Sequence, residues 1–494
     1  MINYPGIYIK ENPIGTRKIM GVSTSITAFI GWAAQGPTDR AQRVLSFQDF
    51  VRHFGGLDRR SLLGYAIQHF FANGGRETYV VRLAADDAVT ASVTIDAKLL
   101  VTAISPGDWA NDYRIETKQD SIDATRFALA VIHQPSGQPP VKLESFENLS
   151  MQASDSRFVQ SIVNSESAYV QVALSGAPTT PPADTAANPF TTAGSAGTPL
   201  NPNETDFESK LIPMDNDGGL YLLDQVDLIN ILCVPGETTT SVVASLQKYC
   251  HDRRAFLIID SPKGATLANM RSAPSPTLVG ADASNSALYF PWIRAQDPLD
   301  ENRVRAFPPS GFVAGVYARA DTNLGVWRVP AGIEATLSGA IDTDTPLTDD
   351  ENGTLNQRGV NCIRTWPLRG TVVWGSRTLH GNDALTSDWK YISVRRLALF
   401  IEESLLRGTQ WVVFEPNEKP LWSQVRLSVD DFMYDLFRQG ALQGNTPREA
   451  YFVKCDRQTT THNDINSGII NIMVGFAALK PFEFVLIRIQ QKAS

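Results

Sequence analysis

One place in this 494-residue chain combines residue types that could do nucleophilic or acid–base chemistry: His251, Asp260 and Ser261, the last two closing the apolar run "AFLIIDSP". Parallel α/β sheets keep their sites at the carboxyl ends of such strands. Hydrolysis there would need the serine oxygen activated by a histidine that a carboxylate orients. The spacing argues against it. His251 ends the preceding helical text, no G-x-S-x-G elbow occurs, and Asp-Ser-Pro after a strand reads as a turn. The run "DTDTPLTDDENG" (Asp342 to Gly353) has the composition of a calcium loop without its residue order, and reads as a solvated acidic loop. "FPPSGFVAG" carries glycines but no Lys-Ser/Thr pair to cradle a phosphate. His53 and His69 lie in helical text with no partner at metal spacing. No catalytic residue, metal site or cofactor is expected.

Composition narrows the remaining classes. The chain is 43% hydrophobic and only 19% charged, below the usual share of about 25%, which suits a surface that hides itself against partners. Net charge is −8 with no block of Lys and Arg, which argues against nucleic acid as a partner. The start "MINYPGIYIKENP" has neither basic nor apolar signal regions, and no apolar run reaches the ~18 residues of a membrane span, so no membrane insertion is expected. Cys233, Cys250, Cys362 and Cys455 are far apart without CxxC spacing, as buried thiols of a protein folded in a reducing cytoplasm would be. The length calls for two to four domains.

The text that would position these residues changes character along the chain. Ile7 and Ile9 alternate with Tyr8 and Lys10 between Pro5 and Pro13, a short strand far from any neighbour, hence an arm. "TAFIGWA" reads as a buried strand. "SFQDFVRHFG" and "SLLGYAIQHFFANGG" read as helices with serine starts and glycine stops, and "ETYVVRLA" as a strand. From Ala85 to about Phe207 short strands ("ASVTI", "YRIETK", "FALAVIH", "AYVQVAL") alternate with turns, which predicts an inserted β-sandwich closed by a Pro/Thr/Ala/Gly-rich linker of low order. "VDLINILCVPG", "TTTSVVASLQKYCHDR" and "AFLIIDSP" form a βαβ unit with parallel strands. Residues Glu402 to Leu442 read as helix, strand, turn and helix, with Trp411, Phe414 and Trp422 as a rigid core. The last of these helices turns Val425, Val429, Phe432, Met433, Leu436 and Phe437 inward, and Gln424, Arg426, Ser428, Asp431, Asp435 and Arg438 outward.

The C-terminal run "PFEFVLIRIQQ" has Phe482, Phe484 and Leu486 on one face and Val485, Ile487 and Ile489 on the other. A strand apolar on both faces is buried on both faces. Left as a free edge it would aggregate, so it either lies in its own sheet or is donated to a neighbour. Two such termini suggest head-to-tail strand donation between identical subunits, a contact that can build a helix.

"PGIYIKE", "TSITAFIGWAAQGP", "FFANGGRETYVVRLA", "PPSGFVAGVYARAD", "WGSRTL", "YISVRRLALFIEESLLRGTQWVVFEPNEKPLWSQVR" and "GALQGNTPREAYFVKCD" resemble the contractile tail sheath family of phages, R-type bacteriocins and extracellular injection systems. The resemblance implies an α/β multidomain fold: a subtilisin-like α/β domain without protease activity, a C-terminal α/β sheath domain completed by the N-terminal segment, an inserted β-sandwich and extended terminal arms. The corresponding boundaries are 1–25 for the N-terminal arm and hinge, 26–84 for the segment packed with the C-terminal domain, and 85–207 for the sandwich. Residues 208–369 are then the subtilisin-like domain, 370–480 the sheath domain and 481–494 the C-terminal arm. The implied partners are other copies of the chain in stacked hexameric rings, an inner tube, baseplate and terminator or cap proteins, and paralogous sheath subunits. Ile7, Tyr8 and Ile9, with Phe482, Phe484, Val485, Leu486, Ile487 and Ile489, become the exchanged strands. The helix bearing Gln424, Arg426, Asp431, Asp435 and Arg438 becomes the one facing the tube. The resemblance also implies assembly in a bacterial cytoplasm, as part of a virion or a released particle. The contrasting readings are a subtilisin-like hydrolase and a carbohydrate-binding decoration protein acting through the sandwich.

Overall fold

The computed structural model describes residues 17–385, 387–481 and 483. The first segment forms β1 (Thr27–Trp32), β2 (Gln42–Val44), α1 (Phe47–Phe54), α2 (Leu63–Ala72) and β3 (Thr78–Leu83). A mainly β stretch follows: β4 (Ser92–Ile95), β5 (Leu99–Ala103), β6 (Tyr113–Gln119), β7 (Arg126–His133), β8 (Val141–Ser150), α3 (Val159–Glu166), β9 (Val170–Leu174) and β10 (Thr185–Pro189). Then come α4 (Thr205–Leu211), β11 (Ile231–Cys233), α5 (Thr240–Asp252), β12 (Phe256–Asp260), α6 (Leu267–Met270), β13 (Ser286–Phe290), β14 (Ile293–Asp297) and β15 (Arg303–Phe307). The body closes with α7 (Ser310–Leu324), β16 (Ala340–Thr343), α8 (Asp349–Asn356), β17 (Val360–Trp366) and β18 (Gly370–Val373). The C-terminal region holds α9 (Ile392–Gly408), α10 (Lys419–Arg438), α11 (Pro447–Ala450), β19 (Tyr451–Lys454), α12 (His462–Asn466) and β20 (Met473–Phe476).

The body is an eight-stranded sheet in the order β18-β17-β13-β12-β11-β1-β3-β2, parallel through its middle, with antiparallel β18 and β2 at the edges. Its strands read as apolar runs because helices cover both faces: α5 packs into the core on one side, α2 and α7 into that on the other. Here the structure corrects the sequence reading. Residues 26–84, expected to pack with the C-terminal domain, put β1 and β3 inside this sheet beside β11. The all-buried pattern of β1, which suits only a central strand, is the physical reason. The acidic run is likewise not a loop: Ala340–Thr343 is strand, and Thr348 caps α8 reciprocally with Glu351.

In the insert, a three-stranded sheet (β4-β5-β9) and a four-stranded one (β10-β6-β7-β8) share a separate core that includes Val93, Val101, Ile115, Leu129 and Val172. Helix α3 adds Val159 and Val163 to it, although no helix was legible there. The stretch read as a low-order linker contains β10, which pairs antiparallel with β6.

The C-terminal region has a third core around Leu397, Trp422, Val425, Val429, Met433 and Leu436. No strand forms between α9 and α10. Gln410–Val412 is a single 3₁₀ turn, and Phe414 is fully exposed at φ 71°. The β-forming residues there have no neighbouring strand to pair with, and strand propensity is largely a fit to such a surface. Trp422 is therefore core, Trp411 packs on the margin, and Phe414 is no part of it.

Candidate assembly interface

Asp260 is buried and accepts hydrogen bonds from the Gly236 N–H (2.9 Å), the Ser310 N–H (2.7 Å) and the Ser310 hydroxyl (2.8 Å). Burial pushes its carboxyl up to about 6 against the pull of those donors. It thus anchors the start of α7, where a carboxylate also favours the helix dipole. His251 sits on the outer side of α5 and faces Asp282 at 3.6 Å. The three residues do not assemble into a triad. Among the described residues no cluster of His, Cys, Asp and Glu could hold a metal ion.

The C-terminal region has the features of a surface built for partners. Strands β19 and β20 pair antiparallel only with each other among the described residues. The ring of Phe452, 47% exposed, lies across Gly475, where even a Cβ would approach it to 2.2 Å; Met473 beside it is 52% exposed. A two-stranded sheet with apolar side chains in water is marginal by itself. Ile7, Tyr8, Ile9, Phe482, Phe484, Val485, Leu486, Ile487 and Ile489 lie outside the described residues.

The roots of both termini are within the described residues. Of the segment 1–25, expected to be an arm and hinge, the described part, 17–25, is strapped along α9. Ile19 is buried against Gly408, and the Val22 N–H donates to Ser404 Oγ at 3.2 Å. The Thr24 carbonyl accepts from Arg396 at 2.8 Å. Arg396 in turn forms a two-pronged pair with Asp321 of α7 (2.9 and 2.6 Å), both side chains almost fully buried. At the other end, Glu483 receives two guanidinium bonds from buried Arg377 (2.8 and 2.6 Å), which also binds Asp383. Sequence reasoning missed Arg377, Arg396 and Phe452. The quoted motifs "WGSRTL" and "YISVRRLALF" contain the two arginines, but their partners are distant in the chain, so no local spacing gave them a role.

Helix α10 is 20 residues long. Val425, Val429, Phe432, Met433 and Leu436 are buried as expected, with Phe437 partly so. Successive residues turn about 100°, so Gln424, Asp431, Asp435 and Arg438 share one flank while Arg426 falls on the opposite one. Ser428, read as outward, is buried. The outermost ridge carries Leu427, Asp430 and Tyr434 instead, and Asp435 lies 3.9 Å from Lys18 of the strap.

Residues 225–379 match the family model of the phage tail sheath protein central domain, and residues 385–492 that of the phage tail sheath C-terminal domain. The chain is 30% identical over 226 residues to a tail sheath protein of Burkholderia phage BcepMu, which covers 43% of this chain and 46% of that one. Matches to curated relatives span about half of their length or less. The fold resembles the sheath complex of the extracellular contractile injection system PVC in its contracted state (TM-score 0.62, 22% identity, 100% of this chain and 98% of that one). It also resembles a sheath tail protein of Listeria innocua (TM-score 0.63, 13% identity, 93% and 96%).

Proposed function

From a chain that belongs to the tail sheath family, we propose a structural subunit of a contractile sheath: hexameric rings stacked around an inner tube and contracting to drive it through a target envelope. The observation that carries this reading is the unfinished β19–β20 sheet, with Phe452 and Met473 exposed beside it. Strands donated by neighbouring copies, from the segments holding Ile7 to Ile9 and Phe482 to Ile489, would complete it. Each added main-chain bond contributes ~0.5–1.5 kcal/mol net, modest singly and large when repeated over a lattice. The strap along α9 and the Arg377–Glu483 pair fix where the two arms leave the subunit, so rigid bodies can turn about them.

In this reading the α/β body is a subtilisin-like domain without catalysis, and the two-sheet insert is a β-sandwich. The flank of α10 bearing Gln424, Asp431, Asp435 and Arg438 is the candidate tube-facing surface; Arg426, on the opposite flank, does not share it. Baseplate and terminator proteins would cap the ends, and paralogous subunits could share the lattice. Assembly would take place in a bacterial cytoplasm, within a phage or a phage-tail-like particle. The hydrolase reading has little to stand on, because Asp260 is committed to α7 and His251 faces Asp282.

Deleting Phe484 to Ser494, which spares the Arg377–Glu483 pair, should leave a folded monomer that no longer polymerises. Phe452→Glu, which alters the acceptor sheet instead, should do the same. Sheath tubes of normal appearance in electron micrographs of both variants would defeat strand exchange.

A further inference from the structure

We infer that the crevice between the carboxyl ends of β1 and β11 binds a small phosphate-bearing anion. The main sheet reverses its winding at this point. The chain leaves β1 toward β3 through α2 on one face, and leaves β11 toward β12 through α5 on the other. Where connections diverge in this way, an open α/β sheet leaves a crevice suited to ligands. Here it is a cavity of about 310 Å³, whose wall includes Trp32 at the end of β1, Arg59, Arg60, Lys263 after β12, and Arg305. No Asp or Glu lines it, in a chain whose net charge is −8.

The lining is rich in donors. Arg59, Arg60 and Arg305 lean on Asp300 (3.1 Å), Asp58 (2.7 Å) and Asp297 (3.3 Å), carboxylates outside the cavity wall. Each guanidinium has five N–H groups, so one such pair orients it and leaves donors over. Lys263 is exposed and has no ion pair among the described residues. Trp32 is only 1% exposed, and its indole N–H finds no acceptor among the described residues, while Arg60 stacks over its ring at 5.0 Å. The start of α2 borders the same space through Leu62 and Leu63, the Leu63 N–H being taken by Ser61 Oγ. A volume at the small end of ligand sites (~300–1,000 Å³) suits a compact oxyanion better than an extended acidic peptide.

This inference does not rest on the assembly reading. The purified full chain would be titrated calorimetrically with inorganic phosphate, pyrophosphate and ATP at constant ionic strength, which separates free phosphate from a phosphate ester. Saturable binding is expected for at least one. Lys263→Glu should weaken it by about tenfold or more, the loss of one charge-assisted bond of ~1.5–3 kcal/mol. Lys263→Gln should weaken it less, and neither variant should shift the unfolding midpoint of the unliganded protein. Absence of saturable heat with all three anions would overturn the proposal, as would binding unchanged by Lys263→Glu. So would a Lys263→Glu variant that keeps its anion binding and loses self-association, which would assign the cations to an acidic segment of a second copy.

Discussion

Asp260 was legible as a strand-terminal carboxylate, but its role was not, because the group it serves, Ser310, lies 50 residues further on. Its folded-state value near 6 exceeds the ordinary carboxylate value, so the folded chain holds this proton more tightly than the unfolded one. The stability this group contributes is complete below about pH 4 and is lost as pH rises through about 6. Urea denaturation from pH 4 to 7 should therefore show the wild-type advantage over Asp260→Asn shrinking across that window; a constant difference would contradict it. Asp260→Ala leaves two buried N–H groups without their acceptor and should cost about 2–6 kcal/mol, at ~1–3 kcal/mol for each lost partner. Phe414 teaches the opposite lesson. An aromatic in a β-forming run looks like core, yet no strand lies beside it, and Phe414→Ser should move the unfolding midpoint very little.

Elements whose period repeats over several turns were readable: α9, α10 and the β11–α5–β12 unit all lie where the sequence predicts them. Their apolar spacing is local information. What escaped depends on distant partners. Strand β8 exposes much of its length, so its sequence lacks clean alternation, and it exists because β7 offers an edge. The placement of β1 and β3 in the body likewise follows from pairing with β11, which no spacing in the first 84 residues encodes. Element-to-element ties carry a sharp test at Arg396 and Asp321, which join α9, α7 and the strap. Asp321→Ala should destabilise by ~3–5 kcal/mol because it strands a buried guanidinium. Arg396→Met combined with Asp321→Leu should recover most of that loss. A cost for Asp321→Ala under ~1 kcal/mol, the level of an exposed pair, would show that water reaches the site.

The whole molecule is a body, an insert with its own core and a C-terminal unit with its own core. The insert's two ends meet: Asp87 accepts from the Thr198 N–H (2.9 Å) and hydroxyl (2.7 Å), and Val89 bridges Ser195. Joining residue 87 to 198 with a short Gly/Ser link should thus give a soluble body with a single cooperative unfolding transition and its α/β circular dichroism intact. An insoluble or molten product would mean that the body needs the insert to close its core.

Arg82, the next-to-last residue of β3, reaches from one part to the other. Its buried guanidinium donates to the carbonyls of Ala33 and Gly36 in the body (2.8 and 2.6 Å) and of Pro106 in the insert (2.9 Å). A planar fork gripping both sides resists swivelling in a way that a single contact could not. The insert therefore behaves as a crank welded to its axle. Any rotation of the sheet sweeps its far end through an arc proportional to its reach, so a small turn at the centre becomes a large displacement at the periphery.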